Sequence, residues 1–276
     1  EFYPYADAIW SYAELGCEEH LSAALLVKLL KKHGFKVDSG AAGMPTAFVA
    51  QWGKGKPVIG FNCEYDSLSG LSQQASIAEK KPVVDGAPGH GCGHNLLGVG
   101  SIMAAVALKE WLLKTKRRGT VKVFGTPAEE ICIGKPYMAR AGLFKGLDAF
   151  LDWHPGVVNR ADYATCNAYF SLKYHFSGRT SHGNSPWHGR SALDGAVLMG
   201  HALEMLREHI LPGSPEAANT INYTFSHVGP EYPNVVPDKA SLWVIGRITT
   251  SEEMERIIVR IDQCAKRREL PVPRAR

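Results

Sequence analysis

The chain lacks a strong excess of charge of either sign. Its 276 residues include 31 Lys and Arg residues against 27 Asp and Glu residues, which gives a formal net charge of +4. So small and scattered a charge does not favour a nucleic-acid-binding protein. The one basic cluster, at 114–118, follows an apolar helical run, and we interpret it as the solvated C-terminal end of that helix.

Long apolar runs and a regular cysteine spacing are lacking as well. The longest apolar run, from Leu96 to Leu113, is interrupted by glycine, serine and charged residues, which argues against a membrane span of roughly 18–20 residues. Six cysteines follow no disulfide-framework spacing, which indicates reduced thiols and a cytoplasmic protein. The chain starts at Glu1 without a signal-peptide pattern, so we expect a trimmed N-terminus.

Up to about residue 155, helical and strand patterns alternate. Such alternation predicts an α/β sheet, whose ligands usually gather in loops at strand ends. The predicted helices are 21–33, 95–114 and 135–141, and the predicted strands are 46–52, 57–62, 120–124 and 149–152.

After residue 167 the pattern becomes strand-helix-strand-strand-helix. The predicted elements are strands 169–176, 220–226 and 240–248 and helices 191–208 and 251–267. This order is most of a ferredoxin-like fold, which needs one more strand. We therefore predict a domain at 1–167 and a second at 168–276, and we interpret the proline-rich end at 270–276 as truncated or altered.

A candidate metal site begins at Cys92 and His94 in the run Gly-His-Gly-Cys-Gly-His-Asn. The flanking glycines allow turns that place both side chains on one side. A thiolate and an imidazole suit zinc or another borderline divalent ion. From these two residues alone, a metal site and a metal-free buried cysteine remain equally open, and we interpret His90 as structural.

Three further residues favour the metal site. Glu129 and Glu130 follow an apolar strand and lead into an apolar stretch, which is unusual for a solvated surface pair. One of them can bind a metal while the other takes a proton from an attacking water. His154, at the end of another predicted strand, supplies a further imidazole. For Asp66, past a strand end, we prefer orienting a ligand or capping a turn to direct metal binding.

A second polar segment, at 178–194, contains His182. Its plainer interpretation is a loop followed by a helix cap. The functional interpretation is that His182 helps to stabilise an oxyanion, while Asn234 and Arg247 hold a substrate amide or carboxylate.

The motifs at 89–98, 127–130, 153–155 and 189–194 resemble those of the co-catalytic metallopeptidase and amidohydrolase family, peptidase family M-twenty. The runs at 64–75 and 184–186 add to the likeness. The resemblance implies a zinc-carboxypeptidase-like α/β catalytic domain with an inserted ferredoxin-like α+β lid that dimerises, both incomplete here. It also implies two divalent ions, zinc or manganese. Carried over by motif, the metal ligands are Cys92, His94, Glu130 and His154, the general base is Glu129, and the lid residues that contact substrate are His182, Asn234 and Arg247.

The expected activity is metal-dependent hydrolysis of the amide bond of an N-acyl amino acid, with p-aminobenzoyl-glutamate as first choice. One alternative is a dipeptidase or another N-acyl-amino-acid hydrolase. A second alternative is an inactive subunit with a partner or regulatory role, because the family's last histidine ligand lies beyond the end of this chain. The expected partners are the small-molecule substrate and a second subunit, identical or different, that binds through the lid. We expect binding to neither nucleic acid nor membrane.

Overall fold

The computed structural model describes residues 1–159, 161, 166–214 and 217–266. The chain divides into two compact units, Glu1–Arg160 and Ala161–Arg276. The predicted change of domain between residues 167 and 168 stays a prediction, because residues 160 and 162–165 around it lie outside the described part.

The first unit is a five-stranded mixed sheet with helices on both faces. Its elements are α1 (Tyr3–Tyr12), α2 (His20–Lys32), β1 (Lys36–Ser39), β2 (Phe48–Lys54), β3 (Val58–Cys63), α3 (His94–Lys114), β4 (Gly119–Gly125), α4 (Gly134–Arg140) and β5 (Ala149–Leu151). The strand order is β1-β2-β4-β3-β5. The predicted α/β sheet is confirmed, and α1, β1 and a short 3-10 helix at Ala41–Gly43 were not predicted.

Three neighbouring strands of this sheet run parallel. In the register, Cys63 of β3 lies opposite Gly125 of β4, and Phe61 of β3 lies opposite Leu151 of β5. The carboxyl ends of parallel strands meet at one edge of a sheet. The segments that follow β3, β4 and β5 therefore start from the same edge.

The strand β4 is buried on both faces, as expected for the centre of an α/β sheet. Val121 and Val123 belong to the main core with α1, α2 and α3. Phe124, on the opposite face, packs with Met138 of α4 in a smaller cluster. The sheet is therefore fixed from both sides by apolar burial.

Helix α3 is the main core helix of this unit. Val99, Ile102 and Ala105 are buried in the main core, and the helix packs on β3, β4 and α1. In contrast to the prediction from its interrupted apolar run, α3 is long and apolar enough to cross a membrane by length and composition alone. Its packing against the sheet is that of a core helix.

Helix α2 begins and ends with backbone groups satisfied by local partners. The Glu14 carboxylate accepts hydrogen bonds from the backbone N–H of Leu21 and of Ser22, both at 2.8 Å. At the other end, Gly34 has a φ of +79°, as predicted for the residue after a helix. These contacts satisfy backbone groups at the two ends of α2.

The second unit contains β6 (Ala168–Ser177), α5 (Ala192–Arg207), the two-residue strands β7 (Gly213–Ser214) and β8 (Ala217–Ala218), β9 (Thr220–His227), β10 (Lys239–Ile248) and α6 (Ser251–Ala265). A 3-10 helix at Pro186–His188 precedes α5. The antiparallel sheet has the order β6-β10-β9. Within the described residues, this is the order of the first three strands of a ferredoxin-like fold.

Helices α5 and α6 lie on one face of this sheet. Met199 and Leu203 of α5 and Ile257 of α6 pack on Leu242 and Val244 of β10. The predicted cap of α5 is present, since the Ser191 hydroxyl accepts a hydrogen bond from the Asp194 backbone N–H at 3.1 Å. The proline-rich C-terminal end, interpreted above as truncated or altered, falls in residues 267–276 outside the described part.

Candidate metal centre

The polar segments singled out in the first unit come together around His94. Glu64 and Asp66 follow β3, Glu129 and Glu130 follow β4, and His154 follows β5. His94 itself is the first residue of α3. Parallel pairing thus gathers side chains that are far apart in the sequence, as the predicted positions at strand ends indicated.

His94 is buried and held in one orientation by Asp66. Its Nδ1 lies 3.0 Å from Oδ1 of Asp66 and 3.1 Å from the Asp66 carbonyl oxygen. A carbonyl oxygen only accepts, so Nδ1 carries a proton, and in the neutral ring the lone pair is then on Nε2. A carboxylate behind an imidazole is the arrangement that orients histidine ligands of metals. Asp66 therefore has the orienting role preferred from the sequence.

The Nε2 side of His94 faces two carboxylates. Oε2 of Glu64 lies 3.2 Å from Nε2, and Oε2 of Glu129 lies 3.9 Å from it. Ligand atoms of these three residues all lie within 4.8 Å of one another. Glu130 is on the other side, with Oε1 at 3.9 Å from Nδ1. The two adjacent glutamates thus approach His94 from different directions.

A tight turn separates these two glutamates from β4. Ala128 has a φ of +55° and is fully buried, and the backbone N–H of Glu130 donates to Oδ2 of Asp66 at 2.9 Å. Glu129 is 35% exposed and Glu130 18% exposed. The more accessible Glu129 can therefore meet a substrate or water, while Glu130 lies closer to the protein interior.

Cys92 and His154 form a second donor group with His94. The Cys92 sulfur lies 3.1 Å from Nε2 of His154, and ligand atoms of all three residues lie within 4.8 Å of one another. Nδ1 of His154 donates to the Pro155 carbonyl oxygen at 2.9 Å, so in the neutral ring the lone pair is on Nε2, the atom that faces the Cys92 sulfur. Gly93 permits this approach, because a Cβ there would lie 2.9 Å from the Pro155 side chain.

The charge of the centre perturbs the pKa values of its members. Burial, the Glu130 carboxylate and the other nearby carboxylates raise the pKa of Cys92 to about 12. Burial raises the pKa of Glu130, and Asp66 and Glu129 add to this while His94 opposes it. Burial disfavours the protonated form of His94, but the hydrogen bond and negative charge of Asp66 and the charge of Glu64 raise its pKa overall. The centre holds negative charge that a divalent cation would offset.

These donors fit a divalent metal ion. Among the described residues, His94 Nε2 and Glu130 Oε1 are buried side-chain atoms without a hydrogen-bond partner. Buried polar atoms rarely remain unpaired, and an ion bound between His94 and either donor group would give Nε2 a partner. Glu130 belongs to neither donor group and lies on the Nδ1 side of His94. Imidazole, thiolate and carboxylate together suit zinc and other borderline divalent ions.

Glu64 and Lys135 belong to the centre but were not assigned from the sequence. The Lys135 ammonium forms an ion pair with Glu64, and the Asn62 side chain donates to Glu64 at 2.7 Å. The sequence does contain an indication for Glu64. It lies two residues before Asp66 at a strand end, and side chains two residues apart in an extended chain point to the same face. For Lys135 we find no signal in the sequence, because α4 brings it to Glu64 only in the folded chain.

His90 has the structural role expected from the sequence. It is buried, and its Nε2 lies 2.9 Å from the Ile9 carbonyl oxygen, to which it donates. Burial lowers its pKa to about 4, which keeps the imidazole neutral.

The three residues predicted to contact substrate lie in the second unit. His182 and Asn234 belong to neighbouring exposed loops, since Gly183 N–H donates to the Asn234 carbonyl oxygen at 2.6 Å. Arg247 is exposed on β10, with its guanidinium 5.6 Å from the centre of the Tyr169 ring. The structure therefore brings His182 and Asn234 together, and Arg247 lies on the strand that pairs with β6 and β9.

Known proteins share much of this sequence. One of the subunits of the p-aminobenzoyl-glutamate hydrolase of Escherichia coli is 40% identical over 266 residues, which cover 95% of this chain and 53% of that protein. The Xaa-Arg dipeptidase of Mus musculus is 31% identical over 275 residues, which cover 93% of this chain and 57% of that protein. The chain thus spans little more than half the length of these curated relatives.

Solved structures share the fold. The aminobenzoyl-glutamate utilization protein from Klebsiella pneumoniae matches 96% of this chain and 70% of its own, with a TM-score of 0.67 and 21% identity. A dinuclear metal-binding peptidase of the M20 family from Bacillus subtilis matches 96% of this chain and 68% of its own, with a TM-score of 0.58 and 19% identity. A family model matches residues 60–260, and the chain belongs to peptidase family M20/M25/M40.

Proposed function

We propose that the chain is a metal-dependent amidohydrolase that cleaves the amide bond of an N-acyl amino acid. The observation that carries the proposal is the environment of His94, whose unpaired Nε2 faces Glu64 and Glu129 while Asp66 fixes its ring. The preferred substrate is p-aminobenzoyl-glutamate, because the Escherichia coli relative at 40% identity is named for its hydrolysis.

The residues proposed to hold metal are Cys92, His94, Glu130 and His154. We propose two ions, zinc or manganese, since the name of the Bacillus subtilis structure specifies a dinuclear peptidase. A divalent ion bound there would polarise the amide carbonyl and lower the pKa of a bound water. Asp66 keeps the proton on Nδ1 of His94, so that Nε2 stays free to bind.

Glu129 is the proposed base. It is the more exposed of the two adjacent glutamates, so it can reach an attacking water. It would take the proton of that water and return it to the nitrogen of the leaving amine. Each such proton transfer contributes about 10²–10⁴-fold to rate in other enzymes.

The second unit is proposed to be an inserted lid that also dimerises. Its strand order supports a ferredoxin-like lid. In this proposal His182 stabilises the oxyanion, and Asn234 and Arg247 bind the substrate amide and carboxylate. The partner is a second copy or a different subunit, since two relatives named as the two different subunits of one hydrolase both match this chain. We also propose a cytoplasmic location.

A dipeptidase is the second candidate, because the mouse relative at 31% identity is named an Xaa-Arg dipeptidase. The metal-binding residues do not discriminate between these two activities, because both reactions cleave an amide bond and differ only in the groups on either side of it. An inactive subunit is the third candidate.

All three candidate functions can be tested on the purified chain after its metal has been removed with a chelator and replaced by zinc or manganese. Release of p-aminobenzoate from p-aminobenzoyl-glutamate that requires metal and is lost in Glu129→Gln supports the main proposal. Faster hydrolysis of a dipeptide that ends in arginine supports the second. Turnover of neither substrate contradicts both, and a chain that in addition binds no metal but dimerises supports the third.

A further inference from the structure

We infer that Glu19 is a positioning residue whose buried carboxylate fixes the turn at Ala128 and so presents Glu129 and Glu130 to the metal centre. The inference rests on the functions proposed above for those two glutamates. It adds to the centre a residue that lies more than one hundred positions away in the sequence.

Both oxygens of the Glu19 carboxylate are used inside the first unit. Oε1 accepts a hydrogen bond from the Ala128 backbone N–H at 2.7 Å, and Oε2 accepts one from the Thr46 hydroxyl at 3.1 Å. Glu19 is fully buried, and so is Ala128. The short bond to a backbone donor is of the strong, charge-assisted kind.

Glu19 does not serve as a helix cap, although its position suggests one. It is the residue that precedes α2, where a carboxylate usually accepts from the first turn of the helix. Its side chain makes no such bond. The Glu14 carboxylate instead accepts hydrogen bonds from the backbone N–H groups of Leu21 and Ser22, in the first turn of α2. The Glu19 side chain is therefore directed to the turn after β4.

The turn at Ala128 needs such support. A φ of +55° is disfavoured for a residue with a Cβ. The loop before α2 also packs directly on this residue, since a Cβ on Gly16 would lie 3.1 Å from the Ala128 Cα. The loop supplies both the contact surface and the hydrogen-bond acceptor that keep Ala128 in this conformation.

A second carboxylate holds the other end of the same turn. The Glu130 backbone N–H donates to Asp66 at 2.9 Å. The three residues from Ala128 to Glu130 are thus fixed at both ends by buried carboxylates, with Glu129 between them. Displacement of a catalytic group by 1 Å can reduce a rate by about 100-fold, so the anchor at Glu19 matters for rate.

The pKa of Glu19 agrees with this arrangement. Burial raises it, while hydrogen bonds from its own backbone N–H and from that of Ala128 oppose the rise. The bond to Ala128 therefore favours the charged carboxylate in a place where burial disfavours it.

Four variants of the full chain test the inference. Glu19→Ala removes the acceptor, Glu19→Gln keeps one oxygen for Ala128, and Glu19→Ala combined with Ala128→Gly relieves the left-handed strain. Glu14→Ala is the matched control, since it removes carboxylate-to-backbone bonds of the same loop that do not reach the turn. The measurements are kcat and KM for p-aminobenzoyl-glutamate, Zn²⁺ affinity, and hydrogen exchange of the Ala128 amide.

We expect Glu19→Ala to lower kcat about 10- to 100-fold with a much smaller change in KM, and to weaken Zn²⁺ binding through the displaced Glu130. Glu19→Gln should retain most of the kcat, and the added Ala128→Gly should recover part of it. Glu14→Ala should lose stability but keep kcat and Zn²⁺ affinity. Equal losses of kcat in Glu14→Ala and Glu19→Ala would overturn the inference, because they would reflect stability alone.

Hydrogen exchange separates this inference from the proposed function. If the wild-type chain neither binds Zn²⁺ nor turns over substrate, the proposed function fails. Faster exchange of the Ala128 amide in Glu19→Ala would still support Glu19 as the anchor of the turn. Unchanged protection of that amide would overturn the anchor, whatever the activity.

Discussion

The carboxylate of Asp66 lies 3.0 Å from Nδ1 of His94, and neither side chain is exposed to solvent. The other oxygen of the same carboxylate accepts the backbone N–H of Glu130 at 2.9 Å. One side chain thus sets both the ring orientation of His94 and the position of the turn that bears Glu130. We expect the metal affinity of the chain to depend on it.

Asp66→Asn should weaken Zn²⁺ binding about 10- to 100-fold, the usual cost of losing a partner behind a ligand. The amide can still accept from His94 through its oxygen, but its NH₂ group would then face the Glu130 N–H, donor against donor. Isothermal titration calorimetry measures the affinity. Asp38→Asn, at an exposed position on β1, is the control and should leave the Zn²⁺ affinity unchanged. Wild-type affinity in Asp66→Asn would contradict the orienting role.

Glu129 and Glu130 should respond differently to the same substitution. Glu129→Gln removes the proposed base and should reduce kcat by about 10²–10⁴-fold while metal content is kept. Glu130→Gln removes a proposed ligand and should lower metal content as well as turnover. Metal analysis after dialysis, combined with kinetics, separates the two. Loss of metal in Glu129→Gln but not in Glu130→Gln would exchange the two roles. Glu129 lies 3.9 Å from Nε2 of His94, close enough for such an exchange.

The Cys92 thiol should react slowly with alkylating reagents in the metal-free chain. Burial and the nearby carboxylates raise its pKa from 9.0 to about 12, so little thiolate is present at pH 8. We expect alkylation by iodoacetamide roughly 100-fold slower than at Cys166, which is exposed. Peptide mass spectrometry gives both rates in one sample. Equal rates at the two cysteines would show that the carboxylates do not act on Cys92 as described.

Gly98→Ala should destabilise the first unit, although the same change usually stabilises a helix. A Cβ at this position of α3 would lie 2.5 Å from the carbonyl oxygen of Glu64, the residue that follows β3, so α3 would have to move away from the end of that strand. Overpacking of this kind costs about 1–3 kcal/mol in the free energy of unfolding. Urea denaturation measures the loss. The comparison is Ala107→Gly at an exposed position of α3, where we expect a loss of about 1 kcal/mol from helix propensity alone. A more stable Gly98→Ala chain would contradict the close packing of α3 on β3.

The sequence predicted most of the fold because its signals were local. The helix after His94 and the strands on either side were visible from periodicity and glycine positions, and so was the cap at Ser191. Helix α1 was missed because it is short and rich in tyrosine and tryptophan, which are weak helix formers. Strand β1 was missed because its residues are polar and it lies at the edge of the sheet.

The candidate site was predictable where polar residues follow strands, as at Glu129, Glu130 and His154. It was not predictable where tertiary packing adds a residue from elsewhere. Lys135 reaches Glu64 from α4, and Glu19 reaches Ala128 from the loop before α2. Glu19 in particular has the sequence position of a helix cap, and only the folded chain reveals that Glu14 takes that role.

Parallel pairing of β3 with β4 and β5 also determines when the metal centre can form during folding. Parallel strands need long connections, and such non-local pairing is slow. Cys92 and His154, which meet at 3.1 Å, are separated by 62 positions along the chain. An unfolded chain therefore offers an ion no assembled set of donors, in contrast to small zinc modules that fold around their metal. The donors around His94 therefore come together only when β3 pairs with β4 and β5.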